Sequence, residues 1–211
     1  MAQTYAPQRG RPTAKQAAAI DAAILGTAKK LFLERGFDRV SMDAVAATAG
    51  VSKGTLYQRY PDKSSLFVEI VRTSIPAWQE VGREDIKDLS GTLAERLKYH
   101  MRSIALSYGD PEVLAFRKLL DVTRDRFPEL SRAMYDFGYT YIINLISRDI
   151  EIMADQDAVP ASQSRSVAQI LVGAVTGWHM QESATRSITV EELIAFGERA
   201  VDVVLAGRTG W

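Results

Sequence analysis

Apolar residues recur along this chain at steps of three and four, and no hydrophobic stretch alternates cleanly with period two. That pattern predicts helices almost throughout and no sheet. Ile20, Ala23, Ile24, Ala28, Leu31 and Phe32 form one stripe of a first helix. Thr13 stands before it with Gln16 three places on, the spacing of a capping box. Gly36 follows, at the left-handed position where only glycine is unstrained. Two short helices come next. Ser41 caps the first, Val40 and Val45 bracket it as a hydrophobic staple, and Asp43 in its first turn suits the helix dipole. Gly50 stops it after about two turns. Ser52 caps the second, with Val51 and Leu56 as its staple, and Pro61 disfavours helix at the residue before it. A three-residue turn holding a glycine joins the pair, which makes a helix-turn-helix. Neither short helix is stable alone. The reading therefore expects small residues, Ala46 and Gly50, at their closest approach, with Val45, Val51 and Leu56 beneath.

Asp62 caps a fourth helix, with Leu66, Phe67, Ile70 and Val71 inward, running to Pro76 or a little beyond. Longer helices follow over 90–108, 111–125, 128–155, 161–185 and 190–206. Gly91, Gly109-Asp110-Pro111, Phe127-Pro128, Val159-Pro160 and Gly207 punctuate them. The expected fold is all-α: a three-helix helix-turn-helix domain plus a larger helical bundle. Residues 1–12 read as a flexible basic arm, 13–62 as the helix-turn-helix domain and 63–211 as the bundle.

Composition narrows the chemistry. The 211 residues include no cysteine, which removes disulfides, thiolate metal sites and cysteine nucleophiles. It also fits a reducing, cytoplasmic setting. The first 20 residues lack an apolar leader core, and no run of about 18 apolar residues exists to span a membrane. His100 and His179 are the two histidines, too few for a metal cluster or a spaced triad, and no phosphate-cradling glycine loop occurs. No enzyme, metal or cofactor is expected. The net charge is zero, yet residues 1–63 hold ten Lys/Arg against five acids. A basic front on an acidic body suggests a polyanion for the front alone, against the plainer reading of chance in a mixed-charge chain.

The stretch VSKGTLYQRYPDK, 51–63, supplies the groups to meet one. A reading helix enters the major groove of DNA by its N-terminal residues, here Ser52, Lys53, Gly54 and Thr55. Lysine bonds guanine O6 and N7; threonine bonds bases or phosphates. A glycine at position 54 lets the backbone approach the duplex. Tyr57, Lys63 and Arg59 suit phosphates, with Lys63 at a helix N-terminus where a bound phosphate would reconcile its charge with the dipole. The alternative for Lys63 is a solvated surface charge. The Tyr60 ring reads as closing the small core. In the arm, Arg9 and Arg11 either lie in a narrow A·T-rich minor groove or form a tail that adds non-specific affinity.

Residues 24–71 resemble the N-terminal DNA-binding domain of the TetR family of transcriptional regulators. The resemblance rests on A-x-x-L-F-x-x-x-G-F, then A-G-V-S-K-G-T-L-Y, then an aromatic and x-x-K-x-x-L. Tyr60 stands where phenylalanine is commoner. The resemblance implies an all-α homodimer, usually a repressor, released from a palindromic operator when a small apolar or amphipathic molecule binds the C-terminal domain. Positions matching the family's DNA contacts are Ser41, Met42, Ser52, Lys53, Gly54, Thr55, Tyr57, Tyr60 and Lys63. Residues 117–138, RKLLDVTRDRFPELSRAMYDFG, look like the C-terminal domain of the AefR-like subgroup. The alternatives kept open are a helical protein-interaction module without operator binding and a DNA-bound activator.

Along 128–155, Leu130, Met134, Phe137 and Tyr141 make one stripe, and Ile142, Ile143, Ile146 and Ile150 another. A helix apolar on several sides is expected at the centre. Tyr99, His100, Phe116, Met134, Phe137, Tyr141 and Trp178 are candidates for an effector pocket, against ordinary core. Asn144, His179 and Gln181 are further polar candidates. Leu171, Gly173, Ala174 and Gly177, with Leu193, Phe196 and Ala200, are candidates for a four-helix dimer interface, against burial within one subunit.

Overall fold

The computed structural model describes residues 13–80, 91–157 and 162–208. The arm at 1–12, with Arg9 and Arg11, lies outside the described residues. Helices make up nearly all of them, and no strand occurs among the described residues. The order is α1 (Ala14–Arg35), α2 (Met42–Ala49), α3 (Lys53–Arg59), α4 (Lys63–Glu80), α5 (Leu93–Gly109) and α6 (Pro111–Thr123). Then come α7 (Pro128–Met134), a π-helical turn (Tyr135–Tyr139), α8 (Thr140–Asp157), α9 (Ser164–Ser183) and α10 (Val190–Ala206).

The helix starts follow local chemistry. Thr13 Oγ1 accepts from the Gln16 amide at 3.3 Å while the Thr13 amide donates to Gln16 Oε1 at 2.8 Å, closing the capping box. Ser41 Oγ accepts from Ala44 N at 3.1 Å, and Ser52 Oγ from Thr55 N at 3.0 Å. Thr92 with Glu95, and Thr189 with Glu192, form two further boxes at α5 and α10. Each such cap is worth about 1 kcal/mol.

The two terminating glycines differ. Gly50 is left-handed, with φ 69° and ψ 29°. Gly36 has φ 84° but ψ 150°, a positive-φ exit into extended chain rather than the left-handed cap expected. Gly50 is also not the close-contact residue it was read to be. A Cβ added there would meet nothing within 4 Å, so its backbone angle is its contribution. Ala46, buried, does the close packing.

Packing divides the chain into two compact units. The first comprises the chain up to Ser74 together with Ala115–Met134, so it passes the functional boundary drawn at 62/63. Its centre is a set of phenylalanines. Phe37 stacks edge-on to Phe67 (5.8 Å between centroids) and Phe127 (4.8 Å), and Phe67 meets Phe32 (6.2 Å) and Phe116 (5.8 Å). Such pairs add to the apolar burial itself.

The second unit comprises Ile75–Leu114 and the chain from Tyr135 on. Here α5 lies between α10 and α8, and α9 packs on α8 and α10. Gly197 permits the α5–α10 approach: a Cβ there would stand 2.8 Å from Met101 Cβ. The 128–155 segment is not one uniform central helix. The π-helical turn re-phases it, so that Ile143, Ile146 and Ile150 are buried while Phe137 and Tyr141 are exposed.

Candidate nucleic-acid interface

The first unit presents α2 and α3 as neighbouring short helices. Val45 and Leu56 are fully buried between them and α1, and the Val51 amide donates to the Ala46 carbonyl at 3.0 Å across the turn. Packing from beneath leaves the N-terminal edges of both helices outward. Ser41, Ser52, Lys53, Gly54 and Tyr57 are all exposed there, and Thr55 is half-buried. Ser52 and Thr55 join their hydroxyls at 2.8 Å. A Cβ built on Gly54 would have only Ser52 Oγ near it, at 3.8 Å, so nothing in the fold requires a glycine at this position. Lys53 Nζ donates to Asp43 Oδ2 at 2.6 Å, and this carboxylate raises the lysine's pKa.

Met42, Arg59 and Lys63 are turned away from the outer edge, and the Tyr60 ring closes the small core as its sequence position suggested. Met42 is 7% exposed; its side chain belongs to the core, and what it can offer a ligand is the backbone at the start of α2. The Tyr60 ring is buried, and its hydroxyl donates to Asp21 Oδ1 at 3.4 Å. Burial, with Asp21 beside it, pushes the Tyr60 phenol up to about 12. Arg59 Nη1 donates to both Asp21 oxygens, at 2.7 and 2.8 Å, and so ties α3 to α1. Lys63 turns inward. Its ammonium donates to the carbonyls of Phe37 (2.7 Å), Val40 (3.0 Å) and Asp38 (3.4 Å). It has three protons and three backbone acceptors. Burial lowers its pKa, and nearby Asp38 partly offsets this.

What remains outward is a tip of hydrogen-bond donors on two neighbouring short helices. Residues 24–70 match the family model for bacterial regulatory proteins of the tetR family. Over these residues the chain is similar to the DNA-binding regulators of that family. An uncharacterized HTH-type transcriptional regulator of Mycobacterium tuberculosis is 30% identical over 119 residues, 54% of this chain and 58% of that protein. The match thus spans little more than half the length of that relative. The HTH-type transcriptional regulator QacR of Staphylococcus aureus is 34% identical over 62 residues, 29% of this chain and 33% of QacR. Among solved structures, the flavonoid-responsive regulator FrrA is similar over 90% of this chain and 97% of its own, with TM-score 0.77 and 26% identity. A TetR-family structure from Mesorhizobium loti covers 91% of this chain and 98% of its own at TM-score 0.74 and 23% identity, which speaks for the fold alone.

The pocket candidates are distributed over the two units. Phe116 and Met134 belong to the first unit, where Phe116 packs on Phe67. Phe137 and Tyr141 are exposed. His100 is committed to a buried network: its Nε2 lies 2.7 Å from Asp149 Oδ2, and Arg96 Nη1 donates to Asp149 Oδ1 at 3.1 Å. Burial would raise the Asp149 carboxyl; the hydrogen bond and charge of His100, with Arg96, outweigh it and hold the carboxyl below its ordinary value. Asn144 accepts from Arg165 at 2.9 Å. Trp178 stacks on Phe196 at 4.6 Å, and Tyr99 is half-buried beside His100.

The dimer candidates also divide. Leu171 and Leu193 are core residues of the second unit, and Phe196 and Ala200 pack against that core. Gly173 is exposed, Ala174 and Gly177 half-buried, and a Cβ on either glycine would meet nothing within 4 Å. Ile170 and Met180 share their stripe and were missed: they are 58% and 63% exposed. The signal was the spacing 170, 173, 177, 180, one face of a helix at steps of three and four.

Proposed function

We propose that this protein is a sequence-specific DNA-binding transcriptional regulator that acts as a homodimer. Its most natural output is repression, lifted when a small apolar or amphipathic molecule binds the second unit. The observation that carries the reading is the outward tip of α2 and α3. Ser52, Lys53, Gly54 and Tyr57 are exposed there with Thr55 half-buried among them, in a segment that matches the tetR-family model, and glycine occupies a position where the fold would accept a side chain. An activator output uses the same tip.

The dimer face we assign is the outer stripe of α9: Ile170, Gly173, Gly177 and Met180. Two apolar side chains flank two glycines whose open space nothing among the described residues fills. A two-fold axis at such a stripe presents two reading tips to a palindrome.

Coupling of effector to DNA runs, in this reading, through 115–134, which overlaps the 117–138 stretch that resembles AefR-like proteins. Three partners within four residues support it inside the first unit. Arg126 is ion-paired with Asp38, Phe127 packs on Phe37, and Ser64 Oγ donates to Glu129 at 2.7 Å. A ligand that favours one placement of α6 and α7 over another shifts the DNA-binding population by its difference in affinity for the two. Because FrrA is flavonoid-responsive, planar polyphenols are the first compounds to try.

The test is duplex binding against salt. Binding to a genomic DNA pool should weaken as salt rises, by about tenfold between 50 and 200 mM for a dimer whose basic front neutralises about two phosphates. A protein that ignores every duplex at low ionic strength is instead an interaction module.

A further inference from the structure

Asp43 was read from the sequence as a helix-dipole residue, and its position is stranger than that. It stands on the reading surface of α2, and its Oδ2 lies 2.6 Å from Lys53 Nζ on α3. Both side chains remain open to solvent, 54% and 65% exposed. A pair so exposed adds at most about 1 kcal/mol to stability. Against phosphates the acid is a liability, since it repels the backbone and neutralises a lysine beside it. The helix dipole accounts for an acid in the first turn of α2, but neither it nor non-specific affinity accounts for the carboxylate's bond to a lysine on the outer edge of α3.

Base edges explain it. In the major groove a G·C pair shows guanine O6, an acceptor, beside cytosine N4–H, a donor. Those two atoms are hydrogen-bonded to each other, so they lie one hydrogen-bond length apart. Lys53 Nζ and Asp43 Oδ2 have the same separation and the opposite order of donor and acceptor. Laid over one another they close a ring: Nζ donates to O6, N4–H donates to Oδ2, and the Lys53–Asp43 bond is kept. The ammonium's third proton can reach guanine N7. An A·T pair also shows a donor beside an acceptor, N6–H and O4, but a lysine over O4 has the thymine methyl next to it and no second acceptor. The carboxylate also fixes which side of the pair the lysine occupies.

We propose that Asp43 and Lys53 act as one reading unit that selects a G·C pair in each half-site, Lys53 on guanine and Asp43 on the paired cytosine. This rests on the DNA-binding reading above. Asp43 is then a specificity-determining residue and not only a helix-start acid.

The test is selection from a randomised duplex pool by the full-length protein, wild type against Asp43→Asn and Lys53→Met. Circular dichroism melts confirm that both variants fold. Wild type should enrich one fixed G·C pair per half-site. Each variant should relax that same pair, by about tenfold in preference, and keep its preference elsewhere. Relaxation at a shared position is the signature of a joint reader. If Asp43→Asn tightens binding to all duplexes and leaves every base preference intact, the acid is a charge brake and the proposal is overturned. Relaxation at different positions in the two variants overturns it as well. A wild type that binds no duplex at all sinks the DNA-binding reading itself, a distinct result.

Discussion

The Lys63 ammonium donates to the Phe37 carbonyl at 2.7 Å and lies over the Phe37 ring, 4.4 Å from its centroid. With Val40 and Asp38 also accepting, this lysine closes the chain between α1 and α2 onto the start of α4. Lys63→Met should destabilise the first unit by about 1–3 kcal/mol, the cost of leaving buried acceptors short of donors. The salt slope of duplex binding should stay as it was; a slope reduced by about one would restore the phosphate role.

The pH dependence has a definite sign. Burial lowers the folded pKa of Lys63 below the ordinary 10.5. Between the folded value and 10.5 the unfolded chain binds more protons, so this group's contribution to stability rises with pH across that window. Below the window both states hold the proton and the slope vanishes. Urea titrations at several alkaline pH values should show that rise in wild type and lose it in Lys63→Met.

Gly54 separates stability from function. A Cβ there meets only Ser52 Oγ, at the ordinary contact distance of 3.8 Å. Gly54→Ala should therefore stabilise the domain by up to about 1 kcal/mol through helix propensity. Duplex affinity should fall, because the methyl stands where the backbone is to meet the groove. A thermal melt and a fluorescence anisotropy titration on one preparation test both halves. An affinity left unchanged would remove Gly54 from the interface.

Gly197 and Gly173 make an opposed pair. At Gly197 an added Cβ lies 2.8 Å from Met101 Cβ and 3.3 Å from Val175 Cγ2, so Gly197→Ala should cost about 1–3 kcal/mol. At Gly173 the space is open, and a substitution leaves the monomer intact. Gly173→Leu should keep the fold and weaken self-association, read by analytical ultracentrifugation at several concentrations.

Arg59 tests the remaining basic group near the tip. Its side chain is turned to Asp21, so Arg59→Ala should lower stability by about 1 kcal/mol, modest because the pair is partly solvated. Duplex affinity should not move beyond that expected from stability. A large affinity loss at unchanged melting temperature would return Arg59 to the phosphates.

The readable parts of this fold were the local ones. Thr13 with Gln16, Ser41 and Ser52 each bond within three residues, so the spacing along the chain carried the caps. The partners that reassigned Lys63 and Arg59 lie 23 to 38 residues away, and helical periodicity holds no record of such pairings. Met42 was placed by motif position, which fixes a backbone site but not the side chain's direction. On α9, Leu171 and Ile170 are adjacent and equally apolar, and one is core while the other is surface. A helix with apolar residues on two faces does not say which face its own subunit takes. The open space at Gly173 and Gly177 is a property of the packing among the described residues, which the sequence does not print.

The first unit is sewn from two separated lengths of chain, for Phe67 needs Phe116 and Phe37 needs Phe127. During synthesis the reading tip therefore emerges from the ribosome long before its own core can close. At about 5–20 residues per second, Phe37 and Phe67 wait several seconds, one aromatic face bare, for the segment that covers them. A nascent chain stalled before that point offers a chaperone an unfinished DNA reader.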